Sequence, residues 1–186
     1  MNIANPKVFS ILDPKGIDAK IVEINNSLST LTYIEKLFGR AYLLSQESQL
    51  VPKVYQGSKE YFNVLPNDAL KCFSFFEANK PRENELYTDP LDRIDSLSTE
   101  ISMIVFGNYE KIDRTKGYPF SEEIIIDILR VLATNNGVVV NRVYDTSIED
   151  IYSNYKLLED QKLLLHYPYF ALKFDMDVTY NIKEPC

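Results

Sequence analysis

The sequence predicts an α+β domain, built as a mostly antiparallel or mixed sheet with helices packed on one face. Three stretches carry that expectation. Phe170 to Tyr180 reads FALKFDMDVTY and alternates throughout, with Phe170, Leu172, Phe174, Met176, Val178 and Tyr180 on one side. Ala171, Lys173, Asp175, Asp177 and Thr179 fall on the other, so one face asks for a core and the other tolerates water. Thr99 to Tyr109 is apolar on both sides, as a central strand would be. Two further stretches repeat apolar residues at helical spacing.

In chain order, the first helix begins near Gly16. Ile17, Ile21, Ile24, Leu28 and Leu31 form its seam. Asp13 or Asp18 suits its amino end, and Pro14 fits at or just before the first turn. Thr30 and Thr32 weaken the far end, although Ile34, Leu37 and Phe38 keep the spacing up to Gly39. From Ala41 to Leu65 the chain reads as strands and turns. Lys53 to Tyr55 and Glu60 to Leu65 flank the turn signal Gln56-Gly57-Ser58, which predicts a hairpin. Pro66-Asn67-Asp68 stops it. Cys72 to Phe76 is a short apolar strand candidate.

Residues 77–95 carry two prolines and many charges, the composition of a surface loop or arm. The strand at 99–109 follows, and Gly107 marks a bulge or its end. Ser121 then suits an N-cap, with Glu122 and Glu123 at the positive end of the helix dipole. Ile125, Ile126, Leu129 and Leu132 give this helix an apolar stripe that Ile124, Ile128 and Val131 broaden. Asn135-Asn136-Gly137 ends it. Val138 to Val140 reads as a strand that extends toward Tyr144. Thr146 and Glu149 have capping-box spacing ahead of a short helical face made by Ile148, Ile151, Tyr152 and Tyr155. Lys162 to Tyr167 fits strand or irregular chain, and Pro168 leads into the last strand.

The whole of 1–186 suits a single domain with its own core. Its formal charge is -7, from 27 acidic and 20 basic residues. That balance argues against a general phosphate-backbone binder, whose affinity comes from Lys and Arg. Lys111, Arg114 and Lys116 lie close together beside Tyr109 and Tyr118, which fits a charged loop or contact with nucleic acid or an acidic partner face. Cys72 and Cys186 are too few and too far apart for a zinc site or a disulfide framework. Neither a signal peptide nor a membrane-length apolar run is expected. Thirteen Tyr and ten Phe, with no Trp, favour surfaces that are buried on assembly or a Tyr-rich core.

Chemical motifs are sparse. His166 is the only histidine, so no multi-histidine metal site exists in this sequence. Six scattered glycines form neither a phosphate cradle nor a nucleophile elbow. Asp175 and Asp177 point to the same side of one strand, where two carboxylates can share a cation. A solvated face, or ion pairs to a neighbouring subunit, accounts for the same two residues. The expectation is a protein that is not an enzyme, with no catalytic, cofactor-binding or metal residues and no cofactor. The alternatives are a metal-dependent transferase or hydrolase built on Asp175 and Asp177, and an adaptor that binds a partner through the 77–95 arm without forming a ring.

FGRAY at Phe38 to Tyr42, VPKVYQGSKEYFNVLPND at Val51 to Asp68, EISMIVFGNYEKI at Glu100 to Ile112 and YFALKFDMDVTYN at Tyr169 to Asn181 together resemble a known family. They are similar to small neck and tail-completion proteins of tailed bacteriophages, especially phages and prophages of gut Bacteroides relatives. The likeness is one of element order and character over about half the chain. It implies a tail terminator-like fold and a structural virion protein of the head–tail junction or upper tail. Such a subunit joins copies of itself in a closed ring and contacts portal, neck or tail-tube proteins. DNA passes through the lumen without specific binding, and no membrane is involved. The protein would be made in the host cytoplasm and reside in the virion. The resemblance carries over no catalytic residue, and it leaves neck ring or terminator, and sixfold or twelvefold symmetry, open.

Overall fold

A computed structural model describes residues 7–46, 49–78, 85–88 and 94–181. Helix α1 (Ile17–Leu28) is followed by strands β1 (Lys36–Gln46), β2 (Gln49–Gly57), β3 (Glu60–Asn63), β4 (Cys72–Glu77), β5 (Glu85–Thr88) and β6 (Ile94–Asn108). Then come α2 (Tyr109–Ile112), α3 (Ser121–Leu132), β7 (Val138–Tyr144), α4 (Ile148–Ile151), α5 (Glu159–Lys162) and β8 (Tyr169–Asn181). The strands form one sheet in the order β3-β2-β1-β4-β6-β8-β7, with β5 also paired to β6. Among the described strands only β1 and β4 run parallel, so the sheet is mixed and the fold is α+β.

The longest pairing joins β6 to β8, in unbroken antiparallel register from Ser96↔Asn181 to Asn108↔Tyr169. All six predicted inward residues of β8 are buried in one cluster. Ile101, Met103 and Val105 of β6 join them, and α1 and α3 cover them with Ile17, Ile21, Ile24, Leu28, Ile124, Ile128 and Leu132. Each large apolar side chain buried in this way contributes about 1.5–3 kcal/mol.

The opposite face carries a second cluster. There Phe73 and Phe75 of β4, Ile104 and Phe106 of β6, and Phe38 and Val54 pack with Ile148, Ile151 and Tyr152 from α4 and its end. The two twelve-residue helices therefore lie on one face, and the short α4 closes part of the other. Aromatic stacking is dense here, with Phe38–Phe62 centroids 5.0 Å apart and Phe73–Phe106 5.6 Å apart.

Several local expectations are corrected. Helix α1 stops at Leu28 and does not continue to Gly39; Lys36–Gln46 is a strand. Leu37 and Phe38 enter different core clusters, so they are buried on opposite sides of the sheet. A register shift between Leu37 and Arg40 lets Phe38 and Ala41 face the same cluster. The buried Asn25 of α1 donates from Nδ2 to the Phe38 carbonyl at 3.0 Å beside this irregularity. The amino end of α1 is as expected in part: Gly16 is its N-cap and Asp18 lies in its first turn, while Asp13 lies before the helix.

Ser121 is the first residue of α3 and Phe120 its cap; the Ser121 hydroxyl donates to Asp145 instead. The buried stripe of α3 is Ile124, Ile128 and Leu132, narrower than expected, and Ile126 is exposed. The cap of α4 is Ser147, one residue after Thr146, and its Oγ accepts from the Asp150 amide. Gly137 has φ 73°, and a Cβ there would sit 2.7 Å from the Thr179 carbonyl oxygen. The 77–95 stretch is not wholly loop: Glu77 ends β4, Glu85–Thr88 is a strand, and β6 starts at Ile94. Residues 79–84 and 89–93 of it lie outside the described residues.

Candidate functional site

Two surfaces hold the residues with chemical or binding potential. The first is a polar row across the sheet, on the side away from α1 and α3. Register places Glu77 of β4 opposite Ser102 of β6, Ser102 opposite Asp175 of β8, and Asp175 opposite Arg142 of β7. The Ser102 hydroxyl donates to Asp175 Oδ1 at 2.6 Å, and Lys173 Nζ lies 3.8 Å from the same oxygen. Asp177 accepts from Asn141 Nδ2 at 2.8 Å. The two aspartates do share a face, but different neighbours engage them. No group of three metal-ligating side chains occurs among the described residues.

Glu77 is only 4% exposed. The Tyr155 hydroxyl, just beyond α4, donates to its Oε1. Burial pushes the Glu77 carboxyl above its ordinary range, while the Tyr155 bond and Lys173 pull the other way and Asp175 adds to the rise. The Tyr155 hydroxyl is raised too, first by burial and then by Glu77. The sequence places Glu77 in the 77–95 arm, whereas it ends β4. The usable signal was its parity with Phe73 and Phe75, which continues the alternation of β4 by one step.

The second surface is the ribbon made by the ends of β1 and β2. Beyond Ala41 and Pro52, these strands pair only with each other among the described residues. Antiparallel register puts Tyr42 and Leu44 on one face of the ribbon and Leu43 and Leu50 on the other. Leu43 is 57% exposed and Leu50 65%. On the Tyr42 face, Ile11, Leu12, Tyr42, Leu44, Tyr55 and Tyr61 line an apolar groove of about 380 Å³. At its root, Arg40 clamps α1 through a two-pronged pair: Nε to Asp18 Oδ1 and Nη2 to Asp18 Oδ2, both 2.7 Å. Sequence reading placed strands in this region, yet it did not single out the ribbon. The signal was Tyr42-Leu43-Leu44, three consecutive apolar residues at a hairpin end.

The remaining candidates are dispersed. His166 is exposed in the turn before β8. Cys72 is wholly buried in the helical-side cluster, and burial lifts its thiol to about 12, so it is a packing residue. Lys111 pairs with Asp68 at 2.8 Å, and Lys116 pairs with Glu123 while lying over the Phe120 ring. The structure therefore turns two of the three cations in that cluster toward its own residues.

No protein-family model matches the chain, and no curated protein matches it. No helix among the described residues is long and apolar enough to cross a membrane.

Proposed function

We propose that this chain is a structural virion protein of the head–tail junction or upper tail. In this reading it is one subunit of a closed homo-oligomeric ring that joins the neck or portal to the tail tube and completes the tail. The observation that carries the reading is the β1–β2 ribbon, which is apolar on both faces past the point where the sheet covers it. Contiguous exposed apolar surface of this kind marks an interaction site for a protein, a membrane or a ligand, and the ring reading takes the first of these. The resemblance to neck and tail-completion proteins supplies the setting, and two of its stretches, FGRAY and VPKVYQGSKEYFNVLPND, enclose this ribbon. The net charge of -7 fits a conduit that DNA crosses without adhering, since like charges repel.

The test is to tag the chain, purify intact phage particles and locate it by mass spectrometry and particle imaging. A ring of this subunit between portal and tail tube is expected. Particles that lack the chain altogether would refute the reading.

A further inference from the structure

Three buried side-chain atoms have no hydrogen-bond partner among the described residues: Asn25 Oδ1, Tyr33 Oη and Ser74 Oγ. An unpaired buried polar atom carries the full desolvation penalty of its group, so each of them calls for a partner. Two of the three fall at one place. Asn25 and Ser74 are both 0% exposed. Ser74 lies between Cys72 and Phe76 on the side of β4 that joins the α1 and α3 cluster, and it stands opposite Leu37 of β1 in parallel register. Asn25 donates from Nδ2 to the carbonyl of Phe38, the next residue of β1, which leaves its Oδ1 over.

The same point is where the β1–β4 ladder breaks. Leu37 pairs with Ser74 and Arg40 with Phe76, so Phe38 and Gly39 together face Phe75 alone. There is a reason for space as well. Leu37, Ser74, Val105 and Leu172 form one row across the sheet, and the other three are large core residues of the helical side. Ser74 is the smallest of the four and lies beneath α1, where close packing would otherwise be filled by a side chain.

We propose that this point is a built site for a single water molecule, which donates to Asn25 Oδ1 and accepts from the Ser74 hydroxyl. Its second proton serves a carbonyl of the interrupted ladder, which gives the roughly three hydrogen bonds that buried waters make. The ligand is water and not an ion because both side chains are neutral and the surrounding cluster is apolar. The bound water ties α1 to β1 and β4 at Asn25, about two helical turns from the Asp18–Arg40 clamp on the same helix. It stands in for the pairing that the bulge interrupts.

The experiment compares the full chain with Ser74→Ala, Asn25→Ala and the double variant. Urea unfolding gives stability, and oxygen-17 magnetic relaxation dispersion counts long-lived internal waters. Ser74→Ala is expected to raise the unfolding equilibrium constant about two- to tenfold, because it breaks a satisfied bridge. It is also expected to lower the count of long-lived waters by one. The two single variants are expected to be non-additive, since either one releases the same molecule. Ser74→Ala that is as stable as the wild type, or more so, overturns the inference, because that is what deleting an unpaired hydroxyl does. So does an unchanged water count, additivity of the two substitutions, or a high-resolution crystal structure in which Asn25 and Ser74 bond directly to each other.

Discussion

β8 and the β1–β2 ribbon obey the same period-2 geometry and meet opposite fates. In β8 the apolar residues share one side, and the domain supplies α1 and α3 to cover it. In the ribbon the apolar residues occupy both sides, and Leu43 and Leu50 remain more than half exposed. Alternation therefore locates a core when it is strict. When it fails at a projecting hairpin, it locates surface that the fold does not use for its own stability. The distinction lies in packing, and it separates residues that hold the domain together from residues available to a neighbour.

The strongest way to break this comparison is to truncate one side chain from each region. Phe174 is fully buried at the middle of β8. Phe174→Ala should cost about 3–5 kcal/mol, from lost transfer energy and the cavity left behind. Leu43→Ala and Leu50→Ala should each change the stability of the monomer by less than about 0.5 kcal/mol, as exposed substitutions do. Urea unfolding at low protein concentration measures all three. Equal losses in the two regions would mean that the ribbon is packed within its own subunit after all.

A smaller effect sharpens the boundary between the regions. Arg40 and Asp18 join α1 to β1 where the ribbon leaves the sheet, and both side chains are largely covered. Arg40→Ala removes two charge-assisted hydrogen bonds and leaves the carboxylate unpaired there, a loss of about 1.5–3 kcal/mol. The exchange Asp18→Arg with Arg40→Asp should recover part of it. If Arg40→Ala is neutral in the same unfolding assay, the clamp does not anchor the root of the ribbon.

These contrasts also show what the sequence made legible. The full length of the β8 pattern was readable because its alternation is unbroken, and β6 was readable from Thr99 to Asn108, where both of its sides are apolar. The first residues of β6 from Ile94 were not readable, and Tyr109 opens α2 instead. The end of α1 was not readable either. Ile34, Leu37 and Phe38 keep helical spacing, yet they also fit a strand buried on two sides, and parallel pairing with β4 decides the matter. Helix caps shifted by a residue because Ser121 and Ser147 each had neighbouring alternatives, and long-range contacts such as Ser121 with Asp145 are not encoded locally. Of the polar row, Asp175 and Asp177 were visible as a same-face pair. Glu77 was hidden by the charged stretch it begins. The groove was invisible because Ile11 and Leu12 reach it from a segment far from Tyr55 and Tyr61 in sequence.

The finest test concerns Glu77, the one buried carboxyl group among the described residues. Glu77 sits beside Ser102 in register, with Tyr155, Lys173 and Asp175 acting on it and Tyr152 feeling its charge. Burial raises its folded-state pKa above the ordinary 4.5. A carboxyl raised in this way binds its proton more tightly in the folded state. Its contribution to stability is therefore fully present below pH 4.5 and is lost as pH rises through the folded value. Glu77→Gln keeps an oxygen to accept from Tyr155 and removes the charge. Between pH 4 and pH 7 the variant should first match the wild type, then exceed it as pH rises through the folded-state value, and gain nothing more above that value. Paired melts across that range measure the difference. A gap that is constant with pH, or that reverses sign, would mean Glu77 is compensated well enough to behave like the wet carboxylates at the edge of the sheet.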